Sequence, residues 1–233
     1  MKTVGIIGGI GPESTIEYYR SIIAAYREQN TDGSYPRVII DSIDLTRMID
    51  LITAGWLAEV ADYLAGEVGK LAAAGADFAV LAANTAHIVF EDVQRDSPVP
   101  LLSIVRATRD AAAASGMQRL GLFATRFTMR AGFYQETFAA AGLSLVLPAE
   151  AEQEYVHGIY MNELLKNVFL PETRSRLLAI ARRLKDEEGI EGLILGGTEL
   201  PLILRAADAE QAGVPFLDTT QIHVRAVVAE MLS

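Results

Sequence analysis

The fold is decided by the stretch TVGIIGGIGPEST, residues 3–15, at the start of the chain. Its aliphatic run, residues 3–7, predicts a short buried strand. The closely spaced glycines that follow predict a tight turn that opens a helix, and the helical pattern continues over residues 14–27. A strand, a glycine turn and a helix in this order indicate the first unit of an α/β fold.

The same alternation continues along the rest of the chain. Short β-branched or aliphatic runs are separated by longer helical patterns, which is typical of strands joined by crossover helices in a mostly parallel sheet. In the first helix, Ile16, Tyr19, Ile22 and Ile23 share one face, which we expect to be buried. A helix over residues 56–74 shows the same periodicity. The predicted strands are residues 3–7, 37–42, 78–83, 101–103, 119–124, 143–146, 192–195 and 215–218.

The composition limits the possible partners. The 233 residues include 20 Lys and Arg against 30 Asp and Glu, for a net charge of −10, and 51% are hydrophobic. This excludes a disordered or fibrous protein, and it disfavours nucleic acid or an anionic membrane as the main partner. The absence of cysteine excludes disulfides, thiolate metal sites and a cysteine nucleophile. We expect a cytoplasmic protein that binds a small molecule and carries no metal.

Spacing shows a weak internal repeat about the middle of the chain. The glycine turn at residues 5–11 has a counterpart at residues 121–128, and residues 83–85 have one at residues 197–199. The repeat predicts two similar α/β lobes whose strand ends face one cleft, where small ligands usually bind.

The repeat also sets the expected boundaries of the lobes. We expect the first lobe to contain residues 1–105 together with residues 215–233, because the final helix is predicted to return to it. The second lobe is expected to contain residues 106–214.

The first glycine turn allows three interpretations. Its backbone amides and the positive end of the helix suit an anion, whereas a tight turn capped by Ser14 or Thr15 needs no ligand. A dinucleotide site is a poor match, because Ser14 stands where the third glycine belongs and Pro12 removes an amide donor. Only Asp41, at the end of the second strand, favours a nicotinamide-dependent oxidoreductase.

Polar residues follow two further predicted strands. Asn84, Thr85 and His87 come after the third strand, and Thr198 and Glu199 come after the seventh. Asn and Thr offer the donors and acceptors that an amino acid's ammonium and carboxylate groups need. The segments 125–128 and 157–166 and the cation Arg47 add hydroxyls and positive charge suited to a dicarboxylate.

These motifs resemble the cofactor-independent aspartate/glutamate racemase family over nearly the whole chain. The resemblance rests on GGIGPEST at 8–15, ANTAH at 83–87, Thr125-x-x-Thr128 running on to Tyr134, GIY at 158–160 and GTE at 197–199. It implies two pseudo-twofold-related Rossmann- or flavodoxin-like lobes with mostly parallel four-stranded sheets flanked by helices, an inter-lobe substrate cleft, no cofactor and a homodimer.

The resemblance also implies roles for individual residues. Asn84, Thr85, Thr125, Thr128 and Thr198 would bind the α-amino and α-carboxylate groups, while Arg47 and Lys166 would bind the distal carboxylate. The amides of the turn around Gly9 would contribute as well. The family's two catalytic cysteines fall at Ala83 and Gly197, whose side chains carry no proton. His87, Glu199, Thr85, Thr198 or a water in the vacated pockets would then have to supply the proton, and we take His87 and Glu199 as the catalytic candidates.

Three hypotheses follow from this departure. The protein is a racemase scaffold that binds an acidic amino acid with residual or no racemisation, whether it evolved or was made without its thiols. Alternatively, it is a lyase or decarboxylase that needs a proton on one face only. Alternatively, it is a non-catalytic module that binds an acidic metabolite.

Overall fold

Eight strands alternate with twelve helices along residues 1–233, all of which the computed structural model describes. The strands are β1 (Val4–Gly8), β2 (Val38–Ser42), β3 (Phe78–Leu81), β4 (Leu101–Leu102), β5 (Arg119–Ala124), β6 (Ser144–Val146), β7 (Gly192–Gly196) and β8 (Phe216–Asp218). The helices are α1 (Pro12–Gln29), α2 (Leu45–Ala54), α3 (Leu57–Ala73), α4 (Phe90–Asp96), α5 (Ile104–Ala114), α6 (Arg126–Arg130), α7 (Phe133–Ala139), α8 (Glu150–Asn162), α9 (Pro171–Glu188), α10 (Leu200–Ile203), α11 (Ala209–Ala212) and α12 (Thr219–Leu232). None of them has the length and apolar composition that crossing a membrane requires.

The strands form two four-stranded sheets in which every pairing is parallel. The first sheet has the order β2-β1-β3-β4 and the second has the order β6-β5-β7-β8. Every residue of β1, β3 and β7 is buried, as expected for parallel strands covered by helices on both faces. The predicted α/β class with mostly parallel four-stranded sheets is confirmed.

The chain divides into two units, each with its own sheet. The first contains Met1–Ala107 and Thr220–Ser233, and the second contains Thr108–Thr219. The sequence placed residues 215–219 in the first lobe. In the structure they belong to the second, because β8 pairs in parallel with β7, with Leu193 opposite Phe216.

The buried face of α1 differs from the predicted one. Ile22 is fully buried, but Ile16 and Tyr19 are 45% and 44% exposed, and the buried stripe instead contains Tyr18 and Tyr26. Tyr18 is held inside by a 2.9 Å hydrogen bond between its hydroxyl and Nδ1 of His223 on α12. This bond joins residues 205 positions apart, so the apolar pattern of α1 by itself could not indicate it.

The turn between β1 and α1 requires glycine at position 9. Gly9 has φ +78°, and a Cβ built there would lie 2.7 Å from the backbone nitrogen of Ile43 and 2.8 Å from Oγ of Ser42. The backbone of the neighbouring turn cannot move away without disturbing β2. Both the left-handed backbone and the close approach exclude other residues.

This geometry predicts that Gly9→Ala lowers the free energy of unfolding by about 2–4 kcal/mol, since it adds backbone strain and overpacking. Gly66→Ala is the matched control, because Gly66 lies within α3 and its Cβ position meets no neighbouring atom. We expect the control to raise stability by up to about 1 kcal/mol. Urea denaturation followed by circular dichroism measures both, and equal stabilities for the two variants would contradict the packing described.

Candidate functional site

In the first unit, the residues after β3 are buried at the carboxyl end of the sheet. Ala83, Asn84 and Thr85 are 5%, 2% and 9% exposed, and Thr85 begins a short 3₁₀ turn that ends at Val89. The carboxyl end of a parallel sheet is where α/β proteins usually bind ligands. The structure therefore places Asn84 and Thr85 where the sequence predicts them.

His87 lies in the same segment, but both of its ring nitrogens are engaged. Nδ1 lies 2.9 Å from the carbonyl oxygen of Ala83, which can only accept, so Nδ1 carries the proton. Nε2 therefore accepts the backbone N–H of Ile104 at 3.2 Å, and the ring stacks on Phe90 with 4.9 Å between centroids. This arrangement holds the loop after β3 against the start of α5.

The electrostatics of His87 agree with a structural role. Burial, followed by repulsion from His223, lowers the pKa of His87 to about 3. The ring is therefore neutral at physiological pH, and protonating Nε2 would break its bond to Ile104. The sequence proposed His87 as an acid or base, and its geometry and charge favour a structural hydrogen-bonding role instead.

The amide of Gly9 is also engaged within the protein. Its N–H donates to Oγ1 of Thr15 at 2.9 Å, and the Ser14 hydroxyl donates to the carbonyl oxygen of Gly11 at 2.7 Å. These bonds match the interpretation in which Ser14 or Thr15 satisfies the turn. The Gly9 amide is thus engaged by Thr15 within the turn.

Two further charged residues that the sequence singled out, Arg47 and Asp41, lie in the first unit. Arg47 lies in the first turn of α2, and its guanidinium group stacks 4.2 Å from the ring centroid of Tyr63. Asp41, which favoured a nucleotide, lies beside Glu67. Burial, followed by a hydrogen bond and charge repulsion from Glu67, raises the pKa of the Asp41 carboxyl.

In the second unit, Thr125 and Thr128 form a cap after β5. Thr125 precedes α6, its Oγ1 accepts the N–H of Thr128 at 3.3 Å, and the two hydroxyl oxygens lie 3.2 Å apart. Both residues are buried. The Thr125 hydroxyl thus caps the start of α6, and Thr128, in its first turn, supplies the N–H that is capped.

After β7, three polar side chains meet around one carboxylate oxygen. The hydroxyl of Thr198 donates to Oε2 of Glu199 at 2.9 Å, and the hydroxyl of Tyr160 on α8 donates to the same oxygen. Tyr160 and Glu199 are 6% and 2% exposed. The sequence named Thr198 and Glu199 but not their contact with Tyr160, which is 39 residues from Glu199 along the chain.

The same tyrosine leaves no room for a side chain at residue 197. A Cβ at this position would lie 2.9 Å from the hydroxyl oxygen of Tyr160 and 3.0 Å from Cζ of its ring. The phenol therefore fills the space that any side chain at residue 197 would need. Nothing in the sequence around Gly197 indicates this contact, because it depends on how α8 packs on the sheet.

Lys166 ends a short 3₁₀ turn after α8 and is exposed to solvent. Its side chain makes no ion pair. In a chain of net charge −10, such a cation is a favourable point of attraction for a small anion. Across residues 1–233, no group of three or more His, Asp or Glu side chains is arranged to hold a metal ion.

The two-sheet α/β architecture is shared with solved structures. Over the full length of both chains, a provisionally assigned Asp/Glu racemase from Yersinia pestis matches with a TM-score of 0.90 and 32% identity. An aspartate racemase homologue from Pyrococcus horikoshii OT3 matches over 100% of both chains with a TM-score of 0.85 and 35% identity. The fold is therefore that of an amino-acid racemase.

Comparison of the sequence with known families and proteins identifies the family of this chain. The model of the family described as Asp/Glu/Hydantoin racemase matches residues 7–227. The broad specificity amino-acid racemase RacX of Bacillus subtilis (strain 168) is 24% identical over 245 aligned positions, which cover 99% of this chain and 98% of the relative. The chain belongs to the Asp/Glu/Hydantoin racemase family, and the resemblance inferred from the motifs is confirmed.

The buried histidines predict a loss of stability in mild acid. In the unfolded chain histidine protonates near pH 6.5, whereas burial keeps His87 and His223 neutral until about pH 3 and about pH 4. Their stabilising contribution is complete above pH 6.5 and is lost as the pH falls below it, by about 1.4 kcal/mol per pH unit for each ring. His87→Gln should reduce the slope of unfolding free energy against pH by that amount between pH 6 and pH 4.

His157→Gln is the control for this slope, because the His157 ring is only half-buried and its pKa is lowered less by its surroundings. We expect a smaller change in slope for that variant. Urea denaturation at half-unit pH intervals gives the slopes. An unchanged slope in His87→Gln would contradict the neutral, hydrogen-bonded state described for His87.

The packing around Gly197 predicts that Gly197→Ala lowers the free energy of unfolding by about 1–3 kcal/mol, since the added Cβ forces the Tyr160 ring to move. Gly158→Ala on α8 is the control, because its Cβ position is open, and we expect it to be neutral or slightly stabilising. Thermal and urea unfolding measure both. A Gly197→Ala variant as stable as the parent would show that Tyr160 does not need this space.

Proposed function

We propose that this protein binds an acidic amino acid without a cofactor, through polar residues at the strand ends of both units, and that it has lost two-base racemisation. The observation that carries the proposal is the combination of family membership with Ala83 and Gly197. The binding motifs persist, while the two positions that the resemblance assigns to proton transfer carry no acid or base.

The binding half of the proposal rests on the chemistry of the strand ends. Asn84 and Thr85 in the first unit, and Thr125, Thr128 and Thr198 in the second, are all buried after strands. Amide and hydroxyl groups can donate to a carboxylate and accept from an ammonium group. That the two sets act on one ligand, in a cleft between the units, is part of the proposal.

The distal carboxylate of the ligand is assigned to exposed cations. Arg47 and Lys166 are the residues that the resemblance gives this role, one in each unit. Each would form a charge-assisted hydrogen bond, which contributes more to binding than a neutral one. Because the whole chain is acidic, affinity for a dianion depends on such local positive charge.

The loss of racemisation follows from its stereochemistry. Racemisation removes a proton from one face of the α-carbon and returns one to the opposite face, so it requires a proton carrier on each side. The methyl group of Ala83 and the hydrogen of Gly197 carry none, and the ring nitrogens of His87 are both committed. We therefore expect at most a residual rate.

A second candidate function is supported by one observation. The hydroxyl of Tyr160 donates to the carboxylate of Glu199 directly beside Gly197, so a group able to transfer a proton lies beside one of the two vacated positions. A lyase or decarboxylase acting on a dicarboxylate needs a proton on one face only. A non-catalytic binding module is the outcome if binding occurs without any turnover.

We also propose that the protein is a homodimer, as the resemblance implies, and that it is cytoplasmic, as the composition favours. Light scattering after size-exclusion chromatography distinguishes a dimer of about 50 kDa from the 25.2 kDa chain.

Binding is tested by isothermal calorimetry with L-aspartate and L-glutamate, and with L-asparagine as an uncharged isostere of aspartate. We expect saturable binding of the acids and at least tenfold weaker binding of L-asparagine. Lys166→Met should weaken binding of the acids by roughly 10- to 100-fold, because it removes a charge-assisted bond. Lys185→Met, which removes an exposed cation from α9, is the matched control and should leave binding unchanged.

The loss of racemisation is tested by following optical rotation of both acids with the natural chain and with Ala83→Cys plus Gly197→Cys. Because a side chain at residue 197 meets the Tyr160 ring, the double variant is also made with Tyr160→Leu. We expect the cysteines to raise the racemisation rate by roughly 100-fold or more. Equally fast racemisation by the natural chain would contradict the proposed loss of two-base chemistry.

A further inference from the structure

We propose that Tyr160 and Glu199 form a proton relay that serves one face of the substrate's α-carbon. Tyr160 is the group that meets the reacting proton, and Glu199 is the final proton acceptor behind it. The inference rests on the proposed function for the presence of an acidic substrate, and it deepens that function by assigning the chemistry that the site retains.

The phenol oxygen of Tyr160 lies next to residue 197. This oxygen lies 2.9 Å from where a Cβ of residue 197 would stand, directly after β7. Polar groups at the carboxyl end of a parallel strand are those that ligands of α/β folds meet. The tyrosine thus brings an ionisable oxygen to a point at which the local chain, Gly196-Gly197, offers only backbone.

The hydrogen bonds give the relay a direction. The Tyr160 hydroxyl donates to Oε2 of Glu199, and the Thr198 hydroxyl donates to the same oxygen at 2.9 Å. A carboxylate oxygen can accept a proton along either bond. The Tyr160 proton points at Glu199, the backbone N–H of Glu199 donates to the phenol oxygen, and the Thr198 proton goes to the carboxylate. One lone pair of the phenol oxygen is therefore left to accept a proton from another direction.

Packing holds the phenol in this position. Tyr160 is 6% exposed and belongs to the apolar core of the second unit, with Leu164, Leu195 and Leu200 among its members. A ring fixed in a close-packed core keeps its hydroxyl oriented without a further entropic cost on binding. This is the preorganisation that proton transfer requires.

Charge explains why the two groups must act together. Burial, with the adjacent Glu199 charge as the next cause, raises the pKa of Tyr160 well above 10. A free phenolate is therefore excluded at physiological pH. Tyr160 can accept a proton only as it passes its own to Glu199, so the tyrosine remains neutral throughout.

The transfer balances without any other reactant. The α-carbon–hydrogen bond breaks, and its proton bonds to the Tyr160 oxygen. The original Tyr160 proton bonds to Oε2 of Glu199, and the electron pair of the broken bond stays on the substrate as an enolate. One negative charge thus moves from Glu199 to the substrate, and the reverse sequence protonates the α-carbon on the same face.

One relay on one face makes a definite chemical prediction. While the enolate persists, the protons held by Tyr160 and Glu199 exchange with water. The α-hydrogen should therefore exchange with solvent with retention of configuration, because the proton returns to the face from which it left. Decarboxylation of a substituted malonate would use the second half of the sequence alone, starting with a proton that Glu199 has taken from water, since loss of carbon dioxide leaves the same carbanion to be protonated.

The experiment is proton NMR of L-aspartate and L-glutamate with the full chain in deuterated water, together with chiral chromatography of the product. We expect loss of the α-proton signal with retention of configuration. Tyr160→Phe and Glu199→Gln should each slow the exchange by roughly 100-fold or more. Calorimetry should give dissociation constants within about twofold of the parent for both variants, which separates the relay from binding.

Tyr155→Phe is the control, because Tyr155 lies on the same helix and its ring stacks on Arg176 at 3.8 Å, away from Glu199. We expect it to exchange at the parent rate. If Glu199→Gln fails to fold, Tyr160→Phe, which preserves the ring, tests the relay by itself, and circular dichroism verifies its fold.

The outcomes separate the relay from the proposed function. Binding of the acids by the natural chain without α-proton exchange would overturn the relay and leave the binding proposal standing. Exchange that persists in Tyr160→Phe would also overturn the relay. Failure to bind any acidic amino acid or dicarboxylate would overturn the proposed function, and the relay with it.

Discussion

Parallel strand pairing is the constraint on which the rest of this structure depends. In each sheet the strands run in one direction, so the turns that follow them all lie at the carboxyl end of the sheet. The turn containing Gly9 follows β1 and Asn84 follows β3 in the first unit, while Thr125 follows β5 and Thr198 follows β7 in the second. Polar residues that are far apart in the chain are thereby gathered at the carboxyl edges of the two central strand pairs.

Within that framework, side-chain packing decides what each edge can do. In the first unit, His87 is bonded to the backbone at both ring nitrogens, so a residue of reactive type serves to hold a loop. In the second unit, Tyr160 reaches from α8 into the space beside Gly197 and bonds to Glu199. The two strand ends look alike as motifs, but in the first the histidine bonds to the backbone, whereas in the second the tyrosine bonds to a carboxylate.

Local sequence patterns predicted the positions of the strands well, but they predicted less well which side chains are buried. All eight strands overlap the short aliphatic runs that predict them, and β1, β3 and β7 need such runs because they are wholly buried. The predicted burial of Ile16 and Tyr19 on α1 was wrong. The side chain that is buried there, Tyr18, bonds to His223 near the other end of the chain, and a local sequence pattern cannot indicate such a contact. The contact between Thr125 and Thr128 is of the kind that local spacing supplies, because a cap lies within one helical turn.

The sequence by itself determined the α/β class, the glycine turn after the first strand, the polar strand ends, the family resemblance and the absence of thiols at Ala83 and Gly197. Each of these depends on residues within a few positions of one another or on the presence of a residue type. Only the tertiary structure decided that the ring nitrogens of His87 are both engaged and that Tyr160 occupies the space beside Gly197. Those contacts join residues as far as 39 positions apart, and they exist only because helices pack against a sheet in one particular orientation.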